Sequence, residues 1–388
     1  VKNPIRSLRR FARKQIQLAQ TRLQPDRFIT DQVSIYEQGK SVPGGIDLHT
    51  LYPAQTFTPA HDDHRRFVEA SPEVDKFCCE RKPIFTAKLH NVKFYRPLGL
   101  LLTQDDRVIT ESGALDWRIR GSKLMSRPTP KPTVTFRKAE SGSYATVWGL
   151  LAHNYFHWMV ECLPRLYSLA DYTARTGEPL TLILPQSEAK GYHRASLDYC
   201  LPEGARVEYL PDDDWFGFES FVLPSYVTTW YVAAVPKPHL DYVRGRIFAR
   251  VGLPAEHKPD KHVYISRRSA ADRRILNEDA LIPMLERHGF EIVQPEHLSF
   301  DDQVRLFHRA KTILAPHGAG LSNILFAPPN ASVIELSLAN TRPYFYYLAD
   351  SLGQNFYYVL GQAGTYSDNL QIDLEKIEKR VNEVLRKT

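Results

Sequence analysis

Apolar and polar positions change rhythm twice along this chain. In residues 1–24, Ile5, Leu8, Ala12, Ile16, Ala19 and Leu23 recur at three- and four-residue steps, which predicts a helix with one apolar face. Residues 25–145 keep no steady period. Prolines break them into short runs such as AKLHNVKFYRPLGLLLTQDDRVITES, and the reading there is irregular structure with short strands. From about residue 146, short apolar runs alternate with stretches of helical length. ATVWGLL, TLILP and RVEYLP predict strands, and 154–173, 188–200 and 238–251 predict helices. GLPAEHKPDK follows, and its two prolines and four charges mark a linker over 252–260.

Beyond the linker the alternation is regular. Strands HVYIS, EIVQP, KTILAP, SVIELS and NFYYVL are separated by predicted helices at 277–288, 299–310, 319–326 and 343–352, and a last helix covers 373–387. Strands separated by helices form a parallel sheet covered on both faces. The expected fold is α/β: two Rossmann-like domains, 25–251 and 261–388, face each other across a cleft. Ligands then bind at the carboxyl ends of the strands.

Composition sets limits on this picture. A chain of 388 residues, 43% hydrophobic and 24% charged, has room for two cores. No apolar run reaches the roughly 18 residues of a membrane span. Cys78, Cys79, Cys162 and Cys200 show neither a disulfide framework nor a zinc spacing, so reduced thiols in a cytoplasmic protein are the expectation. Of the 50 basic residues, seven lie in 1–24 without an acid, leaving 43 against 44 acidic residues elsewhere. A basic amphipathic helix of this kind fits an anionic membrane surface, and a peripheral position at the inner membrane face follows. The alternative is a helix packed on its own protein. No nucleic-acid partner is expected, because the body carries no basic stripe interleaved with aromatics.

Three features of the second half point to one ligand. TILAPHGAGLSNILFAP places His317-Gly318-Ala319-Gly320 between a strand and a helix carrying Leu321 and Ser322, a turn whose backbone N–H groups and helix dipole favour an anion. YISRRSAADRRILNED sets four arginines, among them Arg267 and Arg273, just past the first strand of the same half. Guanidinium suits bidentate binding of diphosphate. Glu335, at the end of SVIEL, is placed to accept from ribose hydroxyls. Together they predict a nucleotide diphosphate. YLPDDDW, with Asp212, Asp213 and Asp214, competes as a metal-dependent diphosphate site, or is a plain acidic loop.

The first half offers HNYFHWMVECLPRL, residues 153–166. On a helix starting near Asn154, positions 153, 157 and 161 share a face. His153, His157 and Glu161 then make a zinc site, an incidental polar edge on a core helix, or a catalytic face. Zinc fits poorly, because no third distant ligand is marked. The catalytic reading gives Glu161, or His157 oriented by Glu161, the role of general base.

These blocks resemble glycosyltransferase family 61, the group with plant xylan arabinosyl- and xylosyltransferases and animal O-linked GlcNAc transferases. Bacterial members are often described as capsular polysaccharide biosynthesis proteins. The resemblance rests on Asn154-x-x-His157-x-x-x-Glu161, on Ser266-Arg267 with Arg273, Ile275, Asn277 and Glu278, and on His317 to Ser322 with Val333-Ile334-Glu335-Leu336. It covers about residues 146–360. It implies a GT-B fold, inversion at the anomeric carbon, a nucleotide-sugar donor and no metal or other cofactor. By position, Arg267 and Arg273 meet the diphosphate, the 317–322 turn cradles it and Glu335 holds the ribose. Asn154 and His153 lie toward a glycan or glycolipid acceptor, with Glu161 at the family's acidic position, one methylene longer than the commoner Asp. The expected activity is transfer of a sugar from a nucleotide-diphosphate donor, for which a uridine diphosphate sugar is the expectation, to a growing surface polysaccharide. The competing readings are a catalytically silent nucleotide-binding scaffold of the same shape, a metal-dependent transferase using Asp212 and Asp214, and a dinucleotide oxidoreductase. The last is weakest, because no Gly-x-Gly-x-x-Gly opens either half.

Overall fold

The computed structural model describes residues 32–41, 46–56, 80–113, 133–187, 189–228, 234–254, 257–338, 341–361 and 369–387. The helix expected over 1–24 lies outside the described residues, as do Cys78 and Cys79.

Two main sheets organise the chain, with helices against them. The first has ten strands. Five of its members, β1 (Ile84–Tyr95), β2 (Ser143–Ala145), β3 (Leu180–Pro185), β4 (Arg206–Leu210) and β5 (Trp215–Pro224), lie in the order β1-β5-β2-β3-β4. β5, β2, β3 and β4 are mutually parallel, as strand–helix alternation requires. β1 pairs antiparallel with β5 along its length, from Tyr95 opposite Trp215 to Thr86 opposite Pro224. Short strands from residues 32–109 extend that edge. The first sheet is therefore mixed, where an all-parallel one was expected. Neither β1 nor β5 shows a clean period of two, because both faces of β5 are largely buried, and a strand covered on both sides reads as a continuous apolar run.

The second sheet is parallel throughout: β6 (Lys261–Ile265), β7 (Phe290–Val293), β8 (Ala310–Pro316), β9 (Ser332–Ser337) and β10 (Asn355–Leu360). Their spatial order is β7-β6-β8-β9-β10. Chain order reverses between β6 and β8, so the doubly wound sheet has its crevice at the carboxyl ends of those two strands.

Helices α1 (Leu166–Thr176), α2 (Gly191–Cys200) and α3 (Lys237–Val251) serve the first half. The second half has α4 (Glu278–Arg287), α5 (Phe300–His308), α6 (Tyr344–Ser351) and α7 (Leu374–Leu385). α3 packs on α1 and α2, and also on α5 and the 3-10 helix Ala319–Phe326. Its Arg244 Nη1 donates to the carbonyls of Leu325, at 2.7 Å, and Ala327, at 2.9 Å. One apolar cluster runs from Trp158 and Leu166 through Leu240 and Val243 to Phe326 and Phe345. It ties both sheets to the same core.

Two local readings change. ATVWGLL is a strand only to Ala145, and turns follow. The helix expected over 154–173 is three pieces: a π-helical turn His157–Cys162, a 3-10 turn Leu163–Arg165, and α1. Pro164 has no N–H to continue the α ladder, and single π turns are frequent at functional sites.

Candidate active site

Arg267 follows β6 and His317 follows β8, so both stand at the crevice where the chain order reverses. They touch through Gly318. A Cβ there would fall 2.1 Å from Arg267 Nη1, so only glycine lets the guanidinium lie on the turn. Ala319 and Gly320 are partly exposed, and Leu321 and Ser322 are buried beneath them. Ser322 Oγ has no hydrogen-bond partner among the described residues.

His317 Nδ1 donates to Glu335 Oε1 at 2.5 Å. Glu335 is fully buried, and its Oε2 has no hydrogen-bond partner among the described residues. The structure thus gives the carboxylate an imidazole for a partner, and no surface on which to meet a ribose. Burial holds His317 below the usual histidine value against the opposing pull of Glu335, and the charges of Arg273 and Arg267 lower it further.

The four arginines separate. Arg267 Nη2 donates to the Asp272 carbonyl at 3.0 Å, and Arg273 has a left-handed backbone with φ 58°. Both act electrostatically on His317. Arg268 instead pairs with Glu278 and Asp279, and Arg274 is exposed. Glu278 also accepts from the buried Tyr264 hydroxyl at 2.8 Å. Asn277 Nδ2 donates to the Ile372 carbonyl at 2.9 Å.

In the first half, His157 Nδ1 lies 2.6 Å from Glu161 Oε2. The histidine side chain is 17% exposed and the glutamate 8%, so the imidazole is the outer member of the pair. His153 stands in a turn before the helical segment, and its carbonyl accepts from Lys190 Nζ and the Tyr192 hydroxyl. It does not share a helix face with the other two. Asn154 Oδ1 accepts from the Phe156 N–H at 2.9 Å, which shapes the start of the turn.

Residues adjoining these motifs join the two halves. Tyr155 Oη donates to Asn323 Oδ1 at 2.7 Å, and Asn323 Nδ2 reaches back to the Gly320 carbonyl at 3.1 Å. Phe156 packs edge-on to His157 and also meets Tyr344 and Phe345. Tyr344 and Phe345 in turn pack on His317. Sequence reasoning missed Tyr155, Phe156, Asn323, Tyr344 and Phe345 as parts of the site. The aromatic density of RPYFYYLAD, beyond its helical length, is the signal that points to Tyr344 and Phe345.

The acidic loop is committed elsewhere. Asp212 Oδ1 accepts from Ser187 Oγ, Asp213 presents its carbonyl to Arg96 Nε, and Asp214 lies 3.6 Å from Arg96 Nη2. Among the described residues no group of three His, Cys, Asp or Glu side chains is gathered to hold a metal ion. Cys162 and Cys200 are buried free thiols, held above the usual cysteine range by burial.

Residues 155–334 match the family model described as Glycosyltransferase 61. The chain is 34% identical over 97 residues to the EGF domain-specific O-linked N-acetylglucosamine transferase of Drosophila melanogaster, a match covering 23% of this chain and 18% of the relative. The Mus musculus protein of the same description matches to the same extent. Beta-1,2-xylosyltransferase of Arabidopsis thaliana is 39% identical over 62 residues, 16% of this chain and 12% of that one. The chain therefore spans less than a fifth of the length of these curated relatives.

Proposed function

Because residues 155–334 belong to glycosyltransferase family 61, we propose that the protein transfers a sugar, with inversion, from a uridine diphosphate donor to a hydroxyl of a glycan acceptor. The two sheets are the two faces of a GT-B arrangement, and the acceptor is a growing surface polysaccharide. One observation carries the reading. The His157–Glu161 pair and the Arg267–His317 turn meet the same aromatic group of Phe156, Tyr344 and Phe345.

The division of labour follows from charge. Arg267, Arg273 and the backbone N–H groups of the 318–322 turn hold the diphosphate as negative charge develops on it. The acceptor oxygen attacks the anomeric carbon from the opposite face, the bond to diphosphate breaks, and the hydroxyl proton passes to the base. His157 is that base. Its Nδ1 is held by Glu161, which leaves Nε2 to take the proton and stabilises the imidazolium that results. The cationic cradle neutralises the diphosphate without an ion.

The test is UDP binding with and without excess EDTA. Affinity is expected to survive chelation, and Arg267→Ala is expected to weaken it by about 1.5–3 kcal/mol, the worth of a hydrogen bond to a charged group. Loss of all binding on chelation would move the donor to Asp212 and Asp214. An unchanged Kd in Arg267→Ala would remove the crevice from the donor site.

A further inference from the structure

Arg273 adopts φ 58°, a left-handed backbone that is disfavoured for any residue carrying a Cβ and persists only where neighbouring structure imposes it. The imposing structure comes from far along the chain. Asn369 Oδ1 accepts from the Arg274 N–H at 3.0 Å. The Leu370 N–H donates to the Arg274 carbonyl at 2.8 Å, and the Leu276 N–H donates to the Leu370 carbonyl at 2.8 Å. Ile275 and Leu370 form a parallel bridge. Asn277 completes the seam in both directions, donating to the Ile372 carbonyl and accepting from the Ile372 N–H at 3.2 Å.

The strap is itself anchored. Leu370 and Ile372 are buried in the apolar cluster that includes Tyr264, Leu314 and Ile334. It follows that the backbone directly after Arg273 is fixed to the core of the second sheet. On the other side, Arg267 Nη2 holds the Asp272 carbonyl. Arg273 is thus gripped from both neighbours, with its charge bearing on His317.

We propose that residues 369–372 splint the arginine loop and that Asn369 is a positioning residue for diphosphate binding, acting through the backbone of Arg274 to aim Arg273. This rests on the reading of Arg267 and Arg273 as donor ligands. Asn369 supplies a side-chain bond to the residue that follows the left-handed position, whereas Leu370 and Ile372 keep the strap seated through burial.

The experiment compares UDP affinity and thermal midpoint in Arg273→Ala, Asn369→Ala and Asn369→Asp. Asn369→Ala is expected to weaken UDP binding about tenfold, in the range set by loss of one hydrogen bond and a misaimed charge, with little change in midpoint. Asn369→Asp keeps the accepting oxygen and is expected to restore affinity, which a merely structural role would not predict. If Arg273→Ala weakens binding while Asn369→Ala leaves it unchanged, the splint idea is wrong and the donor reading stands. If Asn369→Asp falls as far as Asn369→Ala, the hydrogen bond is not what aims Arg273, and the proposal fails. Unchanged affinity in Arg273→Ala itself overturns the donor reading beneath it. Should Asn369→Ala fail to fold, Asn369→Leu makes the same comparison at nearly constant volume.

Discussion

Glu161 and Gly318 each make one close contact, to His157 Nδ1 and to the Arg267 guanidinium, and each supports a sharp expectation. Glu161→Gln keeps the size of the side chain and an acceptor for His157 Nδ1, but removes the charge that steadies an imidazolium. Loss of general-base assistance costs about 10²–10⁴-fold in rate, so turnover with a UDP-sugar and a glycan acceptor is expected to fall in that range while UDP affinity holds. His157→Ala is expected to fall as far if, as proposed, the outer imidazole takes the proton. Near-full turnover in either variant would make HNYFHWMVECLPRL a packing segment. Gly318→Ala probes the other side. Its methyl would fall 2.1 Å from Arg267 Nη1, so the guanidinium must shift from its place on the turn. UDP binding measured by titration is expected to weaken about as much as in Arg267→Ala, by about 1.5–3 kcal/mol. Wild-type affinity in Gly318→Ala would show that contact to be dispensable.

Among the elements, the π turn at His157–Cys162 matters most, because it carries both members of the His157–Glu161 pair. Tyr155, at its entrance, bonds across to Asn323 in the 3-10 helix that opens beside His317. Burial holds the Tyr155 hydroxyl well above the usual tyrosine value, so it remains a donor throughout the working range. Tyr155→Phe removes only that donor. It is expected to destabilise the fold by about 0.5–1.5 kcal/mol, and more if Asn323 Oδ1 is left unsatisfied. Turnover is expected to drop as well, while UDP affinity stays. A urea melt paired with single-turnover rates reads both, and an unchanged rate would deny this bond any part in alignment. Element boundaries in the second half were largely legible: EIVQP became Phe290–Val293 and KTILAP became Ala310–Pro316. A parallel strand flanked by helices announces itself as a short apolar run between amphipathic ones. β1 and β5 were not foreseen. They pair antiparallel across more than a hundred residues, and no local period records that pairing.

Across the whole molecule, buried histidines set a dependence on acid. His193 is pushed down to about 4 and His239 to about 3, in both cases mainly by burial. Each stays neutral in the folded chain, whereas in the unfolded chain a histidine protonates near about 6.5. As pH falls below that value the unfolded state takes up protons first. Stability is therefore expected to decline from about pH 6.5 downward, through the folded values. Urea midpoints at about pH 7.5 and about pH 5 measure the effect, and His193→Gln should flatten the slope between them. Equal midpoints at the two pH values would show that burial does not hold these rings neutral.

The sequence by itself determined the α/β alternation of the second half and motif blocks that fall largely within residues 155–334, the stretch the family model matches. Each of these is written in residue order within a window of about a dozen positions, where period and side-chain type are local properties. Tertiary structure alone decided who meets whom. Glu335 looked like a strand-end acid available to a ribose. The pairing of β8 with β9 instead sets it beside His317, fully buried. Asn369 carried no motif at all, yet it holds the backbone after Arg273 from 95 positions away. Such contacts depend on sheet order and register, which arise from the packing of distant segments, and no local pattern along the chain encodes them.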